Sequence, residues 1–181
     1  LNLLKEYDVD TIELGVQSLD EDVLKASYRG HSVQDVYNAS ELIKNWGFNL
    51  GHQMMIGLPL DTKEKSINTA KSIIKLNPYC VRIYPTLVVK DTYLEKMYKE
   101  ETYKPLSLKE AISLCTDLLI MFEFNNIDVI RIGLQPTDNI NLGKDVIAGP
   151  FHPAFRQLVV SNIYKLVLDD FFDNIGKEKY D

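Results

Sequence analysis

Strand-like and helix-like segments alternate along most of this chain, and no other feature limits its fold as strongly. Thr11-Ile12-Glu13-Leu14-Gly15-Val16 is short, rich in β-formers and bounded by Ser18-Leu19-Asp20, so it reads as a strand. Ser32 and Asp35 have the spacing of a capping box, opening an amphipathic helix through Val36, Ala39, Leu42 and Ile43 that Gly47 stops. A second strand is expected from Phe48 to Ile56, closed by Gly57-Leu58-Pro59. Thr62 then caps a helix whose Ile67, Ala70, Ile73 and Ile74 keep helical spacing, and Asn77-Pro78 ends it. A third strand is expected from Val81 to Val89 and a short helix around Tyr93 to Lys99. Ser107-Leu108-Lys109-Glu110 is a second capping box, opening a helix to about Asn125, before a fourth strand at Ile127 to Ile132. Neighbouring parallel strands need a crossover of about this length, so the pattern predicts right-handed βαβ units and a parallel sheet, with four strands making half of an eight-stranded barrel. Past Gly133 it changes to Gln135-Pro136-Thr137-Asp138, a loop from Gly143 to Pro150, a helix from about Pro153 to Asp173, and a frayed end at Gly176 to Asp181.

Composition narrows the class further. The 181 residues are 45% hydrophobic and 25% charged, which supplies a substantial core and removes any case for disorder. A formal charge of −6 argues against gripping nucleic acid over the whole surface, although a local basic patch is compatible with it. No apolar run approaches the roughly 20 residues of a membrane helix, and no signal peptide is visible. Cys80 and Cys115 lie far apart and form no metal-binding spacing, so they read as buried thiols in a reducing, cytoplasmic compartment. The chain begins at Leu1, within the charged helix-like Leu3-Leu4-Lys5-Glu6, without an initiator Met, and it reads as a fragment.

In parallel α/β folds ligands gather at the carboxyl ends of the strands. That selects Gln17-Ser18, Gly57-Leu58-Pro59, Tyr84-Pro85-Thr86 and Leu134-Gln135-Pro136. Gln53 is an amide within an apolar strand and needs partners if it points into a barrel; the alternative is a polar gap. The Arg29-Gly30-His31 loop offers a guanidinium that either reaches a carboxylate or phosphate across the barrel mouth or remains a solvated charge. Tyr84 is either a substrate-facing phenol or a lining aromatic. His31, His52 and His152 share no metal-ligand spacing and form no triad with a serine and an acid, and Gly149 to Pro153 reads as a helix entry.

Several of these blocks together resemble a known family. Glu13-Leu14-Gly15-Val16-Gln17-Ser18, the acidic Asp20 to Leu24 segment, Arg29-Gly30-His31, Gly47-Phe48 and Met54-Met55-Ile56-Gly57-Leu58-Pro59 resemble the second half of a radical S-adenosylmethionine (SAM) enzyme core. Within that superfamily, oxygen-independent coproporphyrinogen III oxidases share the Gly-Val-Gln-Ser strand, the downstream Arg and the Gly-Leu-Pro turn. Arg29-Gly30-His31, Met54-Met55 and Tyr84-Pro85-Thr86-Leu87-Val88 with Lys90 place the chain nearer the Elongator catalytic subunit-like branch and its bacterial relatives.

The resemblance implies an α/β fold: the C-terminal half of a partial TIM-type (β/α)6 barrel over residues 1–138, starting just before its fourth strand. Residues 139–181 would be a loop and helical C-terminal extension. It implies an enzyme that reductively cleaves SAM at a [4Fe-4S] cluster to a 5′-deoxyadenosyl radical, with tRNA wobble uridine as the Elongator-like substrate. A porphyrinogen oxidase or other small-molecule radical SAM reaction, and a non-catalytic binding module, stand as alternatives. By motif, Gln17 contacts the SAM ribose, Arg29 pairs with the methionine carboxylate, Gln53 takes the place of an acidic ribose ligand, and Met55 and Ile56 pack on adenine. Tyr84, Thr86 and Lys90 face the substrate. The cluster's CxxxCxxC loop is not in the sequence, so no metal ligand is expected here, and these residues alone are expected to be inactive. Open strand edges would make them self-associate or expose an apolar groove at the first strand.

Overall fold

The computed structural model describes residues 1–135 and 144–178. The order is α1 (Asn2–Glu6), β1 (Thr11–Gln17), α2 (Glu21–Ala26), α3 (Val33–Asn45), β2 (Asn49–Ile56), α4 (Lys63–Leu76), β3 (Cys80–Pro85), β4 (Val88–Val89), α5 (Tyr93–Lys99), α6 (Leu108–Phe124), β5 (Asp128–Ile132), β6 (Val146–Ala148) and α7 (Phe155–Glu178). The helix starts follow local chemistry. Ser32 with Asp35 and Ser107 with Glu110 form reciprocal capping boxes, and the Thr62 hydroxyl accepts the Lys65 N–H. Asn77, left-handed at φ 46°, ends α4 before Pro78.

A parallel sheet of order β1-β2-β3-β5 forms the centre. Strands laid down in sequence by crossovers of one hand keep their helices on one face, which is barrel winding rather than the doubly wound arrangement. The core shows it: Val16, Met54, Ile56, Val81, Ile83, Val129 and Ile132 pack with Val36 of α3, Ile73 of α4, Leu118 and Phe122 of α6, and Phe155 and Val159 of α7. Strand alternation sends Glu13, Gln53, Met55 and Arg82 to the opposite, open face, where all four retain solvent exposure.

The strand expected from Val81 to Val89 is two strands. Pro85 has no N–H for the ladder, and Thr86 turns away, giving both its N–H and its hydroxyl to the Ile56 carbonyl at 3.0 and 2.8 Å. Val88-Val89 then pair antiparallel with Val146–Ala148, in a stretch read from sequence as loop. Gly149 permits this fold-back, since a Cβ there would lie 3.0 Å from the Thr86 carbonyl oxygen and 3.2 Å from Leu87 Cα. The expected boundary at 138 and the Pro136-Thr137-Asp138 segment lie outside the described residues, as does the last part of the expected frayed end. Among the described residues no helix is long and apolar enough to cross a membrane.

The Gly57-Leu58-Pro59 turn requires its glycine. Gly57 has φ +73°, and a Cβ would stand 2.9 Å from Leu106 side-chain carbons. Gly57→Val is expected to destabilise the fold by about 2 kcal/mol through the left-handed backbone, measured as a lower urea midpoint at unchanged slope; an unmoved midpoint would refute the glycine requirement.

Candidate ligand site at the sheet's open face

The carboxyl end of β1 carries an unusual backbone. Gln17 is a non-glycine residue at φ 63°, and the Ser18 N–H closes a three-residue turn onto the Val16 carbonyl at 2.8 Å. The β1–β2 register shifts between Leu14 and Gln17, so a bulge re-aims the glutamine. Gln17 is only 4% exposed, yet its Oε1 has no hydrogen-bond partner. Buried amide oxygens are normally satisfied, so this one points to a missing donor.

Gly15 makes room for it. A Cβ at Gly15 would lie 2.8 Å from Gln17 Nε2 and 3.8 Å from Arg29 Nη2, which places glutamine and guanidinium together over one glycine. Arg29 is delivered there by the end of α2, its N–H bonding to the Leu24 carbonyl at 2.9 Å. His31 fastens the same loop, with Nε2 3.3 Å from the Val16 carbonyl. Asp20 caps α2 through the Asp22 and Val23 N–H groups and pairs with Lys65 at 3.0 Å, tying α2 to α4.

Gln53 and Met55 lie next to this point on β2, half-buried on the open face, and Tyr84 is the β3 partner of Met55. Gln53 makes no hydrogen bond among the described residues. Other residues expected at the site are directed elsewhere. Ile56 is fully buried among the helices, so Met55 and Ile56 occupy opposite faces because alternation separates neighbours. The buried Thr86 hydroxyl is spent on the Ile56 carbonyl, and Lys90 is exposed in the turn just past β4. Of the fourth expected strand-end group, Leu134 and Gln135 follow β5, and Pro136 lies outside the described residues.

The turn after β2 is built around Asp61, which the sequence pattern does not single out. Its carboxylate accepts from the Gly57 N–H at 2.8 Å, the Ser66 hydroxyl at 2.7 Å and the Thr62 N–H at 2.9 Å. Burial raises its pKa above the ordinary carboxylate value, against the lowering effect of these bonds. Tyr103 donates to the Gly57 carbonyl at 2.6 Å.

An ion pair across three strands is likewise invisible to sequence pattern. Arg82 Nη2 and Nε lie 2.7 and 2.5 Å from the two Glu13 oxygens, although β2 runs between their strands. Gly51 is the intervening residue, in register with Glu13 and Cys80, and its missing side chain leaves the passage. The available signal was a glycine inside a strand pattern, which often marks a close approach. Tyr84 and then Glu13 hold the Arg82 guanidinium in its charged form. Burial pushes the Cys80 thiol up, as it does Cys115, and neither is a ready thiolate. No group of three or more His, Cys, Asp or Glu side chains suited to a metal occurs among the described residues.

Helices on one face of a parallel sheet define a barrel-type α/β protein, and the polar side chains meeting over a strand's carboxyl end mark its candidate ligand site. The Radical SAM superfamily model matches residues 1–73 and the Radical_SAM C-terminal domain model residues 78–165, and the chain belongs to the radical SAM superfamily. At the level of the family, this implies SAM and a [4Fe-4S] cluster. A tRNA uridine(34) acetyltransferase from Dehalococcoides mccartyi is 34% identical over 116 residues, covering 62% of this chain and 25% of that protein. The archaeal Elp3 of Methanocaldococcus infernus, solved with an N-terminal deletion, superposes with a TM-score of 0.79 at 28% identity, over 92% of this chain and 38% of that one. Coproporphyrinogen III oxidase from Escherichia coli shares the fold, with a TM-score of 0.56 at 16% identity over 68% of this chain and 29% of that one. The aligned part thus spans about a quarter of the curated acetyltransferase.

Proposed function

We propose that these residues form the SAM-binding and substrate-facing part of an Elongator-like radical SAM enzyme that modifies tRNA at the wobble uridine. The observation that carries the SAM assignment is the juxtaposition over Gly15 of Arg29 and Gln17, whose buried oxygen lacks a donor. A ribose hydroxyl would supply that donor, and the Arg29 fork suits the two oxygens of the methionine carboxylate. Gln53 and Met55 flank the same point, the amide for a hydroxyl and the thioether for the adenine ring. Ile56 would border adenine only through its backbone, and Tyr84 is the substrate-side candidate that faces the open sheet.

The cluster does not fit this chain: its two cysteines are buried, far apart and not in a CxxxCxxC loop. Cluster ligands must therefore come from outside these 181 residues, and without them no turnover is expected. Bound beside a cluster held by residues elsewhere, SAM would supply radical chemistry, and the residues described here would hold and orient it. The tRNA substrate is supported by the likeness to tRNA uridine(34) acetyltransferases.

In a polypeptide that joins these residues to a reconstituted cluster, Arg29→Ala is expected to weaken SAM by about 1.5–3 kcal/mol, the usual scale of a charge-assisted hydrogen bond. Gln17→Ala should weaken it less, with no change in thermal stability, and equilibrium titration reads both. Unchanged SAM affinity in Arg29→Ala would make Arg29 a loop charge. For the substrate, tRNA from a deletion strain should lack a wobble modification; intact tRNA modification with lost porphyrinogen decarboxylation would overturn the tRNA assignment.

A further inference from the structure

Arg82 and Arg131 occupy paired positions on β3 and β5. The register shift between Val81 and Arg82 leaves Ile130 as the extra residue on β5; Val129 and Ile132 both enter the helix-side core, so Arg131 shares the open face with Arg82. Strands pair about 5 Å apart, and like charges directly opposite one another destabilise a sheet unless something answers them. Arg82 is answered by the Glu13 carboxylate, which takes a hydrogen bond from Nη2 and pairs with the guanidinium. Arg131 is half-buried and makes no hydrogen bond or ion pair among the described residues. A partly desolvated guanidinium beside a second one is costly without an anion. Asp128, on the same strand, stands opposite Cys80 rather than Arg131.

We propose that Arg131 anchors an oxyanion subsite on the open face of the sheet, taking a phosphate ester or a carboxylate of the substrate. The planar fork of arginine matches both groups bidentately. Tyr84, two residues beyond Arg82 on β3, shares this face and offers a phenolic hydroxyl to the same oxyanion. Glu13 holds Arg82 back, so Arg82 borders the subsite while Arg131 fills it. The proposal rests on the reading of the open face as the substrate side, and it adds the chemical group recognised there.

The 181-residue chain titrated with uridine 5′-monophosphate, with neutral uridine and with glutarate tests it. Arg131→Gln is expected to weaken the preferred anion about tenfold or more, the effect of losing a bidentate charged contact, and to leave uridine unchanged. Arg131→Lys should recover only part of the loss, because it restores charge without the fork. A preference for the nucleotide assigns the anion to a phosphate ester, and a preference for glutarate assigns it to a carboxylate. Anion affinity unchanged in Arg131→Gln, or no anion bound by the wild-type chain at millimolar ligand, overturns the subsite. If Arg131→Gln fails to fold, as judged by thermal unfolding, the lysine variant carries the test alone, and full wild-type affinity there overturns it. SAM titration of the cluster-reconstituted polypeptide separates the two readings: lost SAM binding with retained anion binding removes the SAM reading and leaves the subsite.

Discussion

Gly51→Val is expected to destabilise the protein by about 3 kcal/mol, the upper range for overpacking a rigid interior. A Cβ at this position would stand 2.6 Å from Glu13 Cγ and 3.2 Å from Cys80 Sγ, and neither neighbour is at the free end of a long side chain. The substitution also closes the passage through which Glu13 reaches Arg82. The two contributions can be separated. Arg82→Gln removes the ion pair without adding volume and should cost under about 1 kcal/mol, because both partners remain partly solvated. Gly51→Ala should cost less than the valine, and much of that cost should disappear in a Glu13→Ala background, where Cγ is gone. Urea unfolding of the single and double variants measures the coupling. Additive costs for Gly51→Ala and Glu13→Ala would show that the strands part to accept the methyl and that the glycine is not the key to the cross-strand pair.

Acidification should cost the fold roughly 3 kcal/mol through His52 between pH 6.5 and 4, because each tenfold loss of proton affinity on folding is worth about 1.4 kcal/mol. His52 is fully buried on the helix side of β2, with Nε2 2.9 Å from the Ser40 hydroxyl. Burial, with a smaller contribution from the Lys44 charge, lowers its pKa to about 4. The folded value lies below the unfolded one, so the unfolded chain takes the proton first. Stability is therefore complete above pH 6.5 and falls as the pH drops towards 4. The carboxylates of Asp35, Glu95 and Glu110, held below their ordinary range by hydrogen bonds to Ser32, Lys99 and Ser107 respectively, also favour unfolding in acid. The His52 share is isolated by the double variant Ser40→Ala with His52→Phe, which removes both polar partners at once. Its unfolding free energy should fall less steeply than that of the wild type from pH 6.5 to 4. Parallel curves would mean that the imidazole is not the titrating group.

Much of the architecture was legible because it is written locally. The capping boxes at Ser32 and Ser107, the Thr62 cap and the Asn77-Pro78 stop each involve residues within one turn, and the helices begin and end there. The split of the third strand was not legible. It depends on Val88-Val89 meeting Val146–Ala148, on the close approach of Gly149 and on the redirected Thr86, and these partners are far apart in sequence. At the candidate site, Gln17, Gln53 and Tyr84 were visible as polar residues at strand ends or inside a strand, and Arg29 as a guanidinium in the loop between two helices. Asp61, the Glu13–Arg82 pair and Arg131 were not, since an isolated charge in a sequence looks the same whether it is solvated or facing another strand.

Alternating strand and helix segments were enough to determine a parallel α/β fold, because parallel neighbours require crossovers and crossovers have one hand. Which side chains share a face was decided only by tertiary structure. One bulge at Gln17 and another at Ile130 reset the two-residue period of their strands, and a single-residue slip reverses every side chain beyond it. That is how a buried glutamine comes to lie beside Arg29, and how Arg131 comes to stand opposite Arg82.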